Sequence, residues 1–221
     1  MSHSQTEGHV RAVLTEDNSE VRDKFWALLQ DELEEIVPLL AQSLDAAADF
    51  FEFADGNEYR GKVAWFIFSA LQGYLISLRL LLDGLLLQSG NAQRQTLENI
   101  GMALVCSYPD LDILEHFEAD QYSPSSAIQD AIRNADKLGA NKEAIETIKQ
   151  SSKFYDQFSH ASKMTIALYS NFSEVQGLDI GGMYDPAKEQ QYRKEGQARV
   201  RLARILPSFI AGVRKNASRS A

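Results

Sequence analysis

Two short segments carry side chains whose types and spacing suit chemistry. In Arg94-Gln-Thr-Leu-Glu98 a guanidinium and a carboxylate stand four residues apart, and on a helix that spacing brings them onto one face. In Tyr155-Asp-Gln-Phe-Ser-His160 the same spacing sets Asp156 against His160 and Tyr155 against Ser159. An aspartate beside a histidine raises the imidazole pKa and fixes the ring, as general acid–base catalysis requires. If the two helices meet, Arg94, Glu98, Asp156, Ser159 and His160 form one polar cluster, with His160 as base, Arg94 as a phosphate clamp, and Tyr155 and Ser159 as binding groups. The plainer account is a structural hydrogen-bond network, the commoner role of such a pair on an interior helix. Ser159 adjoins His160, and on a helix neighbours diverge by about 100°, which disfavours a serine-nucleophile dyad.

Other chemistries find little footing. His3, His9 and His116 have no metal-ligand spacing, and Glu115-His116 beside Glu118 reads as a solvated acidic face. Paired Glu-x-x-His motifs for a di-iron centre are missing, as are phosphate-binding glycine loops, so neither a metal nor another cofactor is expected. The single cysteine, Cys106, permits no intrachain disulfide and reads as a small buried residue in a reducing compartment. Met1 to Leu14 is polar, without the basic start and apolar run of a signal peptide, and a cytoplasmic location is the expectation.

Charge is sorted along the chain. Residues 1–185 hold 13 Lys and Arg against 29 Asp and Glu, whereas residues 186–221 hold 9 against 2. A basic tail of this kind suits either an acidic partner or the chain's own acidic helix. The excess negative charge of the body opposes nucleic acid, so no nucleic-acid binding of consequence is expected. Acidic and basic terminal helices suit packing on each other within one chain or across a two-fold axis, and a homodimer is expected.

The elements that position these residues are helices, because apolar residues recur at helical spacing and no strand alternation is sustained. The pattern predicts an all-α, single-domain bundle of about six to seven helices, with residues 1–17 a flexible N-terminus, 18–214 the bundle and 215–221 a frayed end. The first helix is expected from Asn18 or Ser19 to about Phe53, kinked or divided at Pro38. An apolar helix follows from about Glu58 to Leu87, stopping at Ser89-Gly90. Asn91 then caps a helix from Ala92 to about Ser107, making the central hairpin. Within the apolar helix Arg79 and Asp83 are spaced to pair, and a helix apolar nearly all round reads as a buried core element more than a membrane span. Shorter helices are expected at Asp110 to Phe117 and Ser123 to Leu138. A longer one runs from Asn141 to at least His160, then a loop at Gly177 to Tyr184 that reads as a hinge or lid. A last helix opens at Asp185-Pro186 and bends at Pro207.

The segments RQTLE at Arg94 to Glu98 and YDQFSHAS at Tyr155 to Ser162 together resemble bacterial all-helical proteins of unassigned role grouped with the HEPN-like fold. The resemblance implies a helical bundle and a part in stress or phage defence. Ribonucleases of that group are similar dimers built on an Arg-x4-6-His motif within one helix, a motif this chain does not contain. Two readings follow. One is a non-enzymatic helical protein acting by binding; the alternative is a HEPN-like enzyme acting on RNA or a nucleotide through His160, Asp156 and Arg94.

Overall fold

The computed structural model describes residues 7–8, 10–11, 14–15, 17–160, 163–169 and 181–219. Among them are ten α-helices, three 3₁₀ turns and no strand. The chain is all-α. There are more helices than expected, because one-residue turns divide what periodicity alone merges.

The first such turn is Leu29, between α1 (Ser19–Leu28) and α2 (Gln30–Ala54). Pro38 does not divide the helix. It lies inside α2 on the solvent side, where water can satisfy the carbonyl that its ring leaves unpaired. Asn18 makes no side-chain cap, whereas Asn57 caps α3 (Glu58–Leu82) by accepting from Arg60 N at 3.0 Å.

The hairpin turn also sits elsewhere than expected. α3 ends at Asp83-Gly84, and α4 runs from Leu86 to Cys106, so Ser89, Gly90 and Asn91 lie inside a helix. Gly84 at φ +74° permits a Schellman close, with Leu85 N donating to Leu80 O and Gly84 N to Leu81 O. Gly90 serves packing instead, for a Cβ there would stand 2.1 Å from the Phe158 ring. The expected Arg79–Asp83 pair is slight, at 3.8 Å with Arg79 almost wholly exposed, and Arg22 of α1 is the closer partner of Asp83 at 2.6 Å.

After Tyr108-Pro109 come α5 (Ile113–Glu118), α6 (Ala127–Arg133) and α7 (Ala135–Leu138), the last closed by Gly139 at φ +60°. Asn141 caps α8 (Lys142–Asp156), accepting from Glu143 N and Ala144 N. That helix stops at Asp156, short of His160. α9 (Lys163–Tyr169) follows, and Asp185, accepting from Ala187 N, leads into α10 (Glu189–Ala217), which runs on through Pro207. Of the expected hinge loop, residues 177–180 lie outside the described residues.

α3 and α4 form the central antiparallel pair; α2 packs on α3, α10 covers α2, and α6 and α8 pack on α4. Acidic α2 and basic α10 therefore meet within one chain, where Arg204 Nε and Nη2 reach Glu35 Oε1 and Oε2 at 2.5 and 2.9 Å. The last turn of α10 is anchored, not frayed: Asn216 is buried and donates to Leu138 O at 2.9 Å. Residues 220–221 lie outside the described residues, as does most of the N-terminus expected to be flexible.

α3 is the one helix among the described residues long and apolar enough by composition to cross a membrane. It is not buried all round. Val63, Ile67, Leu71, Tyr74 and Leu78 face the core, while Trp65, Phe68, Leu75 and Ile76 are exposed.

Candidate functional site

α4 presents Arg94 and Glu98 one turn apart, and the end of α8 brings Asp156 and Ser159 to them. Arg94 Nη2 lies 3.1 Å from Glu98 Oε1, and Nε lies 2.9 Å from Asp156 Oδ1. Nη1 donates to Ser159 Oγ at 2.9 Å, and that hydroxyl donates to Asp156 O at 2.8 Å. Four of the six expected residues thus form one cluster, half exposed at the surface. The guanidinium is already engaged on three sides, and two of those partners are carboxylates.

The other two candidates are not in it. Because α8 ends at Asp156, the four-residue spacing no longer sets Asp156 against His160 or Tyr155 against Ser159. His160 is exposed and has no hydrogen-bond or ion-pair partner among the described residues. Asp156 is paired with Arg94. Tyr155 turns inward, is buried, and donates to Glu195 Oε2 at 2.8 Å.

Tyr155 belongs to a second, buried polar cluster. Its centre is Arg199 of α10, 1% exposed. Nη1 donates to Glu195 Oε2 at 2.8 Å, and Nη2 donates to Ser89 Oγ at 2.7 Å and Ser77 Oγ at 3.1 Å. Tyr74 donates its hydroxyl proton to Arg199 O at 2.8 Å. Burial works against the Arg199 charge, but the oxygens of Tyr155 and Glu195 outweigh it and hold the guanidinium above its ordinary pKa. Burial likewise pushes the Tyr155 and Tyr74 hydroxyls up. A cavity of about 50 Å³ adjoins Arg199, Glu195 and Phe158, too small for a substrate. This cluster is a structural network. Sequence reading counted Arg199 only among the basic tail, yet its spacing from Tyr192, Gly196, Ala203, Leu206 and Ile210 places it on the inward stripe of α10.

Cys106 is buried, as expected of a small apolar residue, and burial pushes its thiol up to about 12. Among the described residues no group of histidine, cysteine or carboxylate side chains is arranged to hold a metal ion.

The surface offers one further feature. On α2, Val37, Ala41, Leu44, Ala48 and Phe51 repeat at steps of four and three residues, and all but half-buried Phe51 are exposed. On α3, Trp65, Phe68, Gln72, Leu75 and Arg79 repeat at steps of three and four, all exposed. Phe51 meets Trp65 and Phe68 with ring centroids 5.7 and 6.2 Å apart, so the two stripes start side by side. Such spacing is that of a coiled-coil seam.

Compared with known proteins, the chain matches no family model, no curated relative and no solved structure.

Proposed function

We propose that this protein acts by binding and not by catalysis, as a cytoplasmic homodimer joined through the α2–α3 seam. The observation that carries this reading is the pair of exposed stripes at coiled-coil spacing, apolar but for Gln72 and Arg79. Contiguous exposed apolar surface costs free energy in water and marks an interaction face. A second copy fits it because the seam is self-complementary: with α3 antiparallel to its counterpart and Gln72 on the two-fold axis, Trp65 faces the partner subunit's Arg79 and Phe68 faces the partner subunit's Ile76. Arg79 over an indole ring is a favourable cation–π arrangement.

Two findings support binding over catalysis. Arg94 is held by Glu98, Asp156 and Ser159, and His160 stands apart from it. The cations of the last helix also work inside the fold, Arg199 in the core, Arg204 on Glu35, and Arg214 over the Phe53 ring at 5.0 Å, which leaves less for nucleic acid. One unpaired, buried cysteine accords with a reducing compartment.

Sedimentation equilibrium of the full chain tests the reading. A dimer is expected at micromolar concentration, and Phe68→Glu with Leu75→Glu converts it to a monomer of unchanged helical content. A wild-type monomer at tens of micromolar overturns the proposal; if that monomer binds phospholipid vesicles through the same residues, the seam is a membrane face instead.

A further inference from the structure

We propose that the trough between α8 and α10 binds a long-chain fatty carboxylate, with its aliphatic chain toward Gly212 and its carboxylate at Arg201. The trough consists of two adjoining cavities of about 400 and about 250 Å³ that share Ala144, Ile148 and Ile205. Their combined size falls in the range of small-molecule sites, which are mostly apolar with a few placed polar groups. Along it α8 runs from Asn141 to Tyr155 as α10 runs back from Gly212 to Ala198, a length of about 20 Å at the helical rise.

Its shape and walls select the ligand. The larger cavity is bounded by Ile100, Leu104, Ile128, Leu138 and Ile145, with Phe209 as its one aromatic ring. Branched aliphatic walls along a trough of this length suit a polymethylene chain. The smaller cavity adds Thr147, Ser151 and Arg201 to apolar walls of Leu97, Leu202 and Ile205. Arg201 has no ion pair among the described residues; it shares a cleft with Asp31, Glu32 and Glu35, of which Glu35 is held by Arg204 and none is paired with Arg201. On a chain of net charge -9, a free guanidinium at one end of an aliphatic trough is complementary to an amphipathic anion. None of the lining residues belongs to α2 or α3, so the site is independent of the proposed dimer seam.

The experiment is a fluorescence titration of the full chain with cis-parinaric acid, a naturally fluorescent fatty acid. Saturable binding at one site per chain is expected, with displacement by palmitate and not by hexadecylamine. Ser208→Leu places an aliphatic group into the larger cavity from an exposed helix position and is expected to weaken binding about tenfold, 1.4 kcal/mol. Gly212→Leu acts in the same place, where an added Cβ meets nothing within 4 Å. If it fails to fold, Ser208→Leu decides. Arg201→Glu is expected to weaken the acid and to leave its methyl ester unaffected. The Phe68→Glu, Leu75→Glu monomer is expected to bind as wild type. Absence of saturable binding, or folded Ser208→Leu that binds as wild type, overturns the site. Equal affinity for acid and ester overturns the carboxylate assignment, and displacement of the probe by rising protein concentration assigns the trough to a second copy instead.

Discussion

Arg22 reaches across 61 residues of chain to Asp83, its Nε donating to Oδ1 at 2.7 Å and its Nη2 standing 2.6 Å from the same oxygen. The hydrogen bond with Asp83, and then its charge, hold the Arg22 guanidinium above its ordinary pKa. Since Asp83 closes α3, the contact ties α1 to the corner of the central hairpin.

Removing Asp83 therefore does more than remove its neighbour in sequence. Asp83→Ala is expected to lower the melting temperature by several degrees, and Arg79→Met to leave it nearly unchanged, because Arg79 is exposed and 3.8 Å away. Circular dichroism melts check the order; equal melting temperatures for Asp83→Ala and wild type would refute it.

At Arg199 the stakes are those of a buried charge. Arg199→Met strands the Glu195 carboxylate beside Tyr155, a loss of about 3 to 5 kcal/mol. Arg199→Lys is a poor rescue, since an ammonium cannot serve Glu195, Ser77 and Ser89 with the fork geometry of a guanidinium. Adding Glu195→Gln to Arg199→Met is expected to restore part of the stability by removing the stranded charge. Urea denaturation measures all three, and a double variant less stable than Arg199→Met would contradict the argument.

His160→Ala is expected to leave stability unchanged, because Asp156 finds its partner in Arg94 and not in the imidazole. Arg94→Met loses only a half-exposed cluster, about 1 kcal/mol or less. A melting temperature for His160→Ala well below that of wild type would show that the imidazole holds part of the fold.

Alkaline pH should weaken the protein in a predictable direction. Burial pushes the Cys106 thiol up to about 12, whereas the unfolded chain releases that proton above about pH 8.5. Between those values the unfolded state binds fewer protons than the folded one, so the stability contribution is full below the lower value and is lost as pH rises. Tyr59, Tyr74 and Tyr155, also raised by burial, act in the same direction. Denaturant midpoints are expected to fall above about pH 8.5, with a shallower fall for Cys106→Ala. Slow alkylation of Cys106 in the native state, set against fast alkylation in urea, is the companion measurement.

Local signals were read correctly where the chemistry is local. Asn141 and Asp185-Pro186 as helix starts act within a few residues, through side chains that accept from the backbone two or three positions on. Gly84 and Gly90 show the limit. Either glycine can end a helix, and only the Phe158 ring, which lies 68 residues further along, explains why Gly90 does not. The same ring turning inward accompanies the end of α8 at Asp156, which no residue nearby announces. Of the candidate site, the Arg94–Glu98 pair was legible because opposite charges stand four residues apart on one helix, whereas its meeting with Asp156 and Ser159 depends on packing that no local spacing announces. His160 was misplaced because α8 stops at Asp156, and Tyr155 because it lies on the face of α8 that turns to the core. The exposed stripe of α3 was hidden for a different reason. Richness in apolar residues hid the fact that α3 buries only one face.

The pairing of α2 with α10 has a consequence for how the chain is made. Glu35 and Arg204 are 169 residues apart, so during vectorial synthesis α2 leaves the ribosome long before the helix that covers it exists. Leu33, Ile36 and Leu40, buried in the folded protein, lie on the helix whose cover is made last. The 29-residue α10 therefore closes over α2 late, after most of the packing around the α3–α4 hairpin can already have formed.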